Sequence, residues 1–364
     1  MSIRDLIIVG AGPSGLSAAI AARQRGLDYL VLEQGVLVNS IYRFPPQMVF
    51  FTTPELLEIG GLPFVSPYEK PTRAEALKYY RRVVDTYDLH IAFEEKVLSI
   101  QHEDEGGEQG RRPESPGGGG EMRLFEVETR SARGVRRIRL ARFVAVAIGY
   151  YDHPNMIHVP GEDLPHVSHF YTEPHPHYRE RVVIVGGGNS AAEAALEMYR
   201  AGAHVTLVHR HAALKPTIKY WVRPDIENRI KEGTIAARFG SCVKEIRPTS
   251  IVITRSDAEP EAGEGCGAGG AGGDVNGDEE IPADAVYLLT GYRADTDLMC
   301  RAGIRLTDRQ GPIYDPETFE TNVPNLFIAG GAIAGKKTGN IFIENGRFHG
   351  SKIIDVLADR LHRD

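Results

Sequence analysis

Cysteine is scarce in this chain, and the few cysteines present form no motif. The sequence has three of them, Cys242, Cys266 and Cys300, and no pair has the C-x-x-C spacing. A zinc knuckle and a disulfide-stapled fold both need more cysteines at closer spacing. The composition therefore predicts neither, and it favours a reducing, cytoplasmic location.

An excess of positive charge and a long apolar run are also missing. The 364 residues carry 42 Lys and Arg against 49 Asp and Glu, a formal charge of -7, so no basic field would attract nucleic acid or an anionic membrane. The apolar opening is interrupted by Gly-Pro-Ser-Gly, well short of the roughly 20 residues that cross a bilayer. We expect a small-molecule partner, without nucleic acid or membrane.

A strand, loop, helix and strand pattern is present, and it occurs twice. The first copy, DLIIVGAGPSGLSAAIAARQRGLDYLVLE, contains Gly10, Gly12 and Gly15 as G-x-G-x-x-G and ends at Glu33. Glycines at this spacing let the backbone approach a pyrophosphate at a helix N-terminus, and the acid accepts from a ribose hydroxyl. The alternative is a tight turn without a ligand, but the complete pattern predicts a dinucleotide site.

The second copy, RVVIVGGGNSAAEAALEMYRAGAHVTLVHR, has the form G-x-G-x-x-A with Gly186, Gly188 and Ala191. Its second strand ends in His209 and Arg210, with His209 in the place of the acid. A carboxylate would repel a 2'-phosphate, whereas an arginine fork binds one, so this copy predicts NADPH rather than NADH. The alternative is a solvated arginine at a strand end.

The repeat continues after each glycine loop, which predicts an α/β fold of two Rossmann-like, three-layer dinucleotide-binding domains, each with a small antiparallel hairpin or meander. Each copy later contains a strand, an acidic glycine-rich insert (103–121 and 257–280) and an apolar strand closing in glycine. The inserts have too little apolar content to pack. We predict a discontinuous FAD domain over 1–163 and 291–364, and an NADPH domain over 164–290.

The end of the chain supplies a third cofactor element. A strand over Leu326 to Ala329 ends in Gly330 and Gly331, and a final helix is predicted from about residues 338–340 to the C-terminus. The N-terminus of such a helix suits the negative charge that a reduced flavin carries at N1 and O2. This element assigns FAD to the first copy and NADPH to the second.

The chain resembles the low-molecular-weight thioredoxin-reductase-like flavoproteins through the doubled pattern, the linking segment AIGYYDHPNMIHVPGE and TNVPNLFIAGG before the last helix. Within that group, NSIYRFPPQMVFFTTPELLEIGGLPF, VSHFYTEPHPHY, IKYWVRPDIENRI and IFIENGRFHG are similar to the bacillithiol-disulfide (bacilliredoxin) reductase family. The resemblance implies FAD, NADPH, a homodimer, and hydride transfer from NADPH to FAD followed by reduction of a small or protein-bound disulfide.

The resemblance also implies which residues bind the cofactors. Segments 39–42 and 50–53 fall where such proteins line the flavin ring, and Ser14 stands at the position of the family's redox cysteine. Gly10, Gly12, Gly15 and Glu33 match the FAD motif, and Gly186, Gly188, Asn189, Ser190 and Arg210 match the NADPH motif. The other expected cofactor contacts are Pro13, Ser14, Gln34, Asn39, Ser40, Tyr42, Phe51, Thr52, Val97, Gly149, Ala191, His209, Gly291, Gly330, Gly331, Asn340 and Ile341.

Three positions depart from these relatives. No C-x-x-C precedes the second glycine loop, Ser14 replaces a cysteine, and Gly331 replaces an aspartate that bonds the ribityl chain. A serine exchanges no electrons with a disulfide. We therefore expect no cysteine to take part in electron transfer. A ferredoxin or flavodoxin reductase and a nucleotide-binding sensor without turnover stay open as alternatives.

Three histidines, His169, His175 and His177, stand where the relatives have their cysteine pair. They lack a nearby carboxylate or cysteine at ligand spacing, and two prolines oppose a regular helix, so no metal site is predicted. A proton-relay role for one of them is an alternative. The favoured interpretation is a structural connection.

Overall fold

The computed structural model describes residues 2–102, 123–255, 277–336, 338 and 340–361. The chain divides into two compact units. Unit 1 comprises Met1–Arg43, Thr52–His153 and Arg293–Asp364, and unit 2 comprises Phe44–Phe51 and Pro154–Tyr292.

The elements follow the alternation of apolar strands and amphipathic helices that the sequence predicts. The strands are β1 (Ile3–Val9), β2 (Tyr29–Leu32), β3 (Ile91–Ala92), β4 (Glu95–His102), β5 (Phe125–Ser131), β6 (Arg136–Val146), β7 (His153–Pro154), β8 (Val167–Ser168), β9 (Arg181–Val185), β10 (His204–His209), β11 (Ala236–Phe239), β12 (Ser241–Arg247), β13 (Ser250–Arg255), β14 (Glu279–Pro282), β15 (Ala285–Leu288), β16 (Tyr292–Arg293) and β17 (Leu326–Ile328). The helices are α1 (Pro13–Gln24), α2 (Asn39–Tyr42), α3 (Arg73–Tyr87), α4 (Asn189–Arg200), α5 (Arg223–Lys231), α6 (Thr296–Arg301), α7 (Ile343–Gly346) and α8 (His349–Leu361), with 3-10 turns at Pro54–Leu57, His175–His177 and Gly330–Ala334.

Unit 1 is built on a seven-stranded mixed sheet in the order β3-β2-β1-β6-β5-β4, and β17 also pairs with β6. Strand β6 joins two kinds of sheet, because it runs parallel to β1 and β17 and antiparallel to β5. Strands β4, β5 and β6 form the predicted antiparallel meander. Helix α8 packs on α1 at Gly350, where a Cβ would lie 2.3 Å from the Ala18 nitrogen.

Unit 2 contains a parallel five-stranded sheet in the order β11-β10-β9-β15-β8 and a three-stranded antiparallel sheet in the order β12-β13-β14. One face of the parallel sheet packs its apolar side chains on α4, and the other face packs on the antiparallel sheet. Helix α4 presents alanines to the sheet, which allows close approach of the helix to β9. The result is the three-layer α/β arrangement expected from the sequence.

The boundaries of the two units differ from those of the predicted domains. The units divide at 153/154 and 292/293, whereas the prediction divided the chain at 163/164 and 290/291, and unit 2 also includes Phe44–Phe51. Insert 103–121 and residues 257–276 of the second insert lie outside the described residues. The prediction that the second insert runs to residue 280 is wrong, because Glu279 and Glu280 pair with β13 in strand β14.

The predicted single C-terminal helix is also wrong. The chain forms the short helix α7 from Ile343 and the longer helix α8 from His349. Phe342 is still extended, with φ -123° and ψ -179°, and its N–H donates to Asn345 Oδ1 at 2.9 Å. Asn345 Nδ2 in turn donates to the Asn340 carbonyl at 2.8 Å, so residues 340–342 form a side-chain-stabilised turn rather than helix. Among the described helices, none is long and apolar enough to span a membrane.

Candidate functional site

The first glycine loop lies between β1 and α1, and two of its glycines are required by packing within the loop. Gly10 has φ +106°, and a Cβ there would lie 2.5 Å from the Ala147 carbonyl oxygen. A Cβ at Gly15 would lie 2.0 Å from the carbonyl oxygen of Gly10. Residues larger than glycine would force the strand, the loop and α1 apart.

The third glycine, Gly12, is not crowded by neighbouring atoms. It is the N-cap of α1 without a side-chain cap, and Pro13 occupies the first helical position. A Cβ at Gly12 would have nothing within 4 Å. The first turn of α1 thus has no side-chain cap and open space beside its N-cap, which fits the pyrophosphate of FAD.

Glu33 directly follows β2 and is 5% exposed. Its Oε2 accepts from the Ala11 N–H at 2.8 Å, and its Oε1 accepts from the Gly35 N–H at 2.9 Å. Burial raises the pKa of Glu33 and the nearby Asp152 adds to this, while the backbone donors oppose the shift. The carboxylate thus fixes the loop from Ala11, and its remaining lone pairs are available for a ribose hydroxyl. Gln34 is turned to Asp152, with Nε2 donating to Oδ2 at 2.8 Å.

Ser14 lies in a narrow niche formed by two glycines. A Cβ at Gly330 would lie 2.4 Å from the Ser14 hydroxyl oxygen, and a Cβ at Gly346 would lie 3.0 Å from it. Gly330 has φ +64° and donates its N–H to His349 Nδ1 at 3.0 Å. His349 therefore anchors the turn after β17 beside the first glycine loop.

The missing aspartate at Gly331 has a steric explanation. A Cβ there would lie 2.7 Å from Cδ1 of Tyr150. Tyr150 belongs to the AIGYYDHP segment and is partly buried, and burial raises the pKa of its hydroxyl. The aromatic ring thus occupies the space that an aspartate side chain would need.

The other predicted cofactor contacts outside the second copy are spread over unit 1, with one exception. Asn39, Ser40 and Tyr42 form α2, and Thr52 is buried. Phe51, by contrast, belongs to unit 2. The rest are Val97, which is packed in the core of unit 1, Gly149 with φ +63°, and Asn340 and Ile341 in the turn before α7.

The second glycine loop, between β9 and α4, reproduces the geometry of the first. A Cβ at Gly186 would lie 2.5 Å from the Leu289 carbonyl oxygen, whereas a Cβ at Gly188 would meet nothing closer than Lys215 Cδ at 3.9 Å. Gly188 is the N-cap of α4 without a side-chain cap, Ala191 is buried and Ser190 is exposed. This open helix N-terminus fits the pyrophosphate of a second dinucleotide.

Asn189, the first residue of α4, uses its side chain within the protein. Its Oδ1 accepts from the Lys219 N–H at 2.8 Å, and its Nδ2 donates to the Thr217 carbonyl at 3.2 Å.

Gly291 follows β15 with φ +100° and lies beside Asn155. Neither this contact nor the contacts of Asn189 were predicted from the sequence.

Basic side chains collect at the end of β10. His209 is 5% exposed, and its Nε2 would lie 2.3 Å from a Cβ at Gly187. Burial lowers the pKa of His209 to about 4, assisted by His211, Lys215 and Arg210. Among the described residues no group bonds His209 Nε2. A neutral ring therefore replaces the acid found at Glu33, and three basic residues surround it.

The pKa of Lys215 is also lowered, by desolvation first and by Arg210 second. Arg210 Nε lies 3.3 Å from His211 Nε2. This group of basic side chains fits a phosphate ester. His211 and Lys215 were missed in the sequence, although the HRHAALK run contains them.

Two histidines of the histidine-rich stretch lie near carboxylates, which was not predicted from the sequence. His177 lies with Nδ1 2.7 Å from Glu180 Oε2 and with Nε2 2.7 Å from the Tyr287 hydroxyl. His169 has Glu162 Oε1 at 3.5 Å, while His175 is exposed. The contact between His177 and Glu180 was not predicted; the chain turns after His177, where the Glu180 N–H donates to the His177 carbonyl at 3.0 Å and brings side chains three residues apart together. The His177 contacts join this stretch to β15.

The structure describes two of the three cysteines. Cys242 is buried in β12. Cys300 is an exposed free thiol on α6. Cys266 lies outside the described residues.

Comparison with known proteins identifies the group to which this site belongs. The model of the family described as pyridine nucleotide-disulphide oxidoreductase matches residues 7–108, 120–263 and 272–330. The chain belongs to this family. As a pyridine nucleotide-disulphide oxidoreductase it is an FAD-dependent enzyme, and its cofactors are FAD and NADPH.

Individual relatives match this oxidoreductase along its whole length. The bacilliredoxin reductase Bdr of Bacillus subtilis (strain 168) is 38% identical over 355 residues, which is 97% of each chain. The solved bacillithiol disulfide reductase Bdr of Bacillus cereus is 37% identical with a TM-score of 0.86, covering 99% of this chain and 100% of its own. The corresponding Staphylococcus aureus structure is 34% identical with a TM-score of 0.83 and covers 99% of each chain.

Proposed function

We propose that the enzyme passes electrons from NADPH through FAD to a disulfide acceptor, either a low-molecular-weight disulfide such as bacillithiol disulfide or a mixed disulfide on a small redox protein. The observation that carries this proposal is the 38% identity with a bacilliredoxin reductase over 97% of both chains. Similarity that extends through both glycine loops supports a shared acceptor class as well as shared cofactors.

Each residue set has a proposed task. The uncapped first turns of α1 and α4 hold the two pyrophosphates, and Glu33 fixes the first loop and accepts from the ribose of FAD. Arg210, with Lys215 and His211, binds the 2'-phosphate of NADPH. FAD supplies the chemistry of accepting and donating an electron pair. The protein holds the nucleotides and, through the Ser14 niche, limits what reaches the first loop.

The acceptor is tested by a turnover screen on flavin-loaded protein. NADPH oxidation is followed with bacillithiol disulfide, a bacilliredoxin mixed disulfide, glutathione disulfide, flavodoxin, ferredoxin and a quinone. Fast turnover restricted to the bacillithiol-linked disulfides is expected. Turnover only with flavodoxin or ferredoxin would reject disulfide reduction.

Electron transfer to a flavodoxin or ferredoxin is a second candidate, because serine rather than cysteine stands at residue 14. A flavin without a thiol partner suits one-electron carriers and quinones. A homodimer and a cytoplasmic location are also proposed. Light scattering of the purified enzyme and fractionation of cells test them.

A further inference from the structure

Lys219 is a buried lysine beside the second glycine loop. It is 7% exposed, and its Nζ donates to Glu193 Oε1 at 2.6 Å and to the Val49 carbonyl at 3.4 Å. The ammonium also lies 5.6 Å from the ring centroid of Trp221. Lysine is almost never buried unless it is paired, because desolvation of the ammonium is costly. The contacts therefore point to a specific task at this position.

The backbone of Lys219 contacts the same helix as its side chain. Its N–H donates to Oδ1 of Asn189, the first residue of α4, at 2.8 Å. Glu193, the partner of the ammonium, lies one turn further along α4. Lys219 thus holds both ends of the first turn of α4, the turn whose open N-terminus faces the second dinucleotide site.

The loop that carries Lys219 also carries a phosphate-binding candidate. Lys215 donates its backbone N–H to the Gly187 carbonyl in the glycine loop at 2.9 Å. The stretch from Lys215 to Lys219 is therefore bonded to the nucleotide loop at one end and to α4 at the other. Since a phosphate contact depends on sub-ångström placement, a change at Lys219 displaces Lys215 as well.

Segment 44–51 completes this arrangement in unit 2. Besides the bond from Lys219 to Val49, Gln47 donates to Glu197, one turn beyond Glu193 on α4. Phe51 stacks on Trp221 with ring centroids 5.4 Å apart. Lys219 is the residue that contacts the segment, α4 and the aromatic pair together.

We infer that Lys219 is a positioning residue of the NADPH site. Lys219 holds the 215–221 loop and segment 44–51 against the first turn of α4, so that the phosphate-binding side chains are in place before the nucleotide binds. The inference rests on the proposed binding of NADPH at the second glycine loop. Both hydrogen bonds of the ammonium go to protein groups, Glu193 and Val49, so its effect on the nucleotide is through the loop.

The test compares Lys219→Met with Lys244→Met. Methionine keeps the length and apolar stem of lysine and removes the charge. Lys244 is also in unit 2 and also forms an ion pair, with Asp278 at 2.7 Å, but its side chain is 59% exposed. Binding of NADP⁺ is measured by calorimetry, and the emission of Trp221, the single tryptophan of the chain, is recorded with and without NADP⁺.

Lys219→Met should weaken NADP⁺ binding and raise KM for NADPH roughly five- to fifty-fold, with kcat within about twofold of wild type, as expected for lost preorganisation. The emission change of Trp221 on NADP⁺ binding should shrink. Lys244→Met should leave all of these values unchanged. Lys219→Arg, which keeps the charge for Glu193, should recover most of the affinity.

The outcomes separate two failures. A wild-type enzyme that binds no NADP⁺ overturns the proposed nucleotide site and this inference with it. Wild-type binding with unchanged affinity and KM in folded Lys219→Met overturns the inference alone. If Lys219→Met does not fold, Glu193→Gln gives the same test, because it removes the counter-charge of the Lys219 ammonium. Glu193→Gln should then raise the KM for NADPH, and Lys244→Met should not.

Discussion

Exchanging one glycine in each loop for alanine should remove one cofactor at a time. Gly12 has φ -77° and ψ 175°, and Gly188 has φ -100° and ψ -169°, which alanine adopts without strain. The new methyl group meets nothing within 4 Å at Gly12 and only Lys215 Cδ at 3.9 Å at Gly188. Each methyl therefore enters only the space in front of a helix N-terminus.

The magnitudes follow from this geometry. Glycine to alanine at an unstrained position changes the free energy of unfolding by about 0.4–1 kcal/mol, in the stabilising direction. Loss of one charge-assisted hydrogen bond between a backbone N–H and a phosphate costs about 1.5–3 kcal/mol. This corresponds to a roughly ten- to hundredfold rise in Kd.

The assay uses each variant as the control for the other. Gly12→Ala should purify with little flavin colour, reconstitute poorly with FAD and still bind NADP⁺ in calorimetry. Gly188→Ala should stay yellow and lose NADP⁺ affinity. Gly15→Ala should not fold, because its Cβ would lie 2.0 Å from the Gly10 oxygen.

Wild-type FAD affinity in Gly12→Ala, or loss of both nucleotides in either folded variant, would refute the assignment of one dinucleotide to each loop.

Three further predictions concern charge, thiols and pH. Arg210→Ala should lose the preference for NADPH over NADH. The KM for NADPH should rise roughly ten- to hundredfold and the KM for NADH should stay unchanged, because about 1.5–3 kcal/mol of phosphate binding is removed. An equal rise in KM for both nucleotides would contradict this prediction. A Cys242→Ser, Cys266→Ser, Cys300→Ser triple variant should keep turnover, and reductive titration should take two electrons per FAD, whereas four would mean that a cysteine pair stores electrons. Burial lowers the pKa of His349 from 6.5 to about 4, and Lys352 adds to this shift. Between pH 6.5 and 4 the unfolded chain therefore binds a proton at this histidine that the folded chain does not bind. The free energy of unfolding falls by about 3 kcal/mol over this range. Urea titrations of His349→Gln across this range should show a shallower loss than wild type, and an identical slope would reject the attribution.

The sequence predicted the strands, loops and helices around both glycine motifs because their determinants are local. Apolar runs, glycine spacing and a following helix specify β1 with α1 and β9 with α4 within a few residues of one another. These features do not depend on distant contacts. The assignment of FAD to the first copy and NADPH to the second came from the C-terminal strand and helix, and it stays a prediction.

Other parts depend on tertiary contacts that no local pattern encodes. The C-terminal helix was predicted as one element, yet Asn345 bonds Phe342 and Asn340 and delays it. Tyr150 fills the space beside Gly331 from a segment far away in sequence. Lys219 was part of a quoted family segment, but only the fold brings it to Glu193.

Anaerobic rapid mixing follows the flavin itself and shows whether it carries electrons from NADPH to a disulfide. NADPH is mixed with flavin-loaded enzyme, the visible flavin band is recorded, and bacillithiol disulfide is added once the change is complete. We expect the band to bleach with NADPH, more slowly in Arg210→Ala, and to return within seconds of adding the disulfide. A band that does not bleach with NADPH, or that bleaches and returns only with flavodoxin, ferredoxin or oxygen, would contradict this expectation.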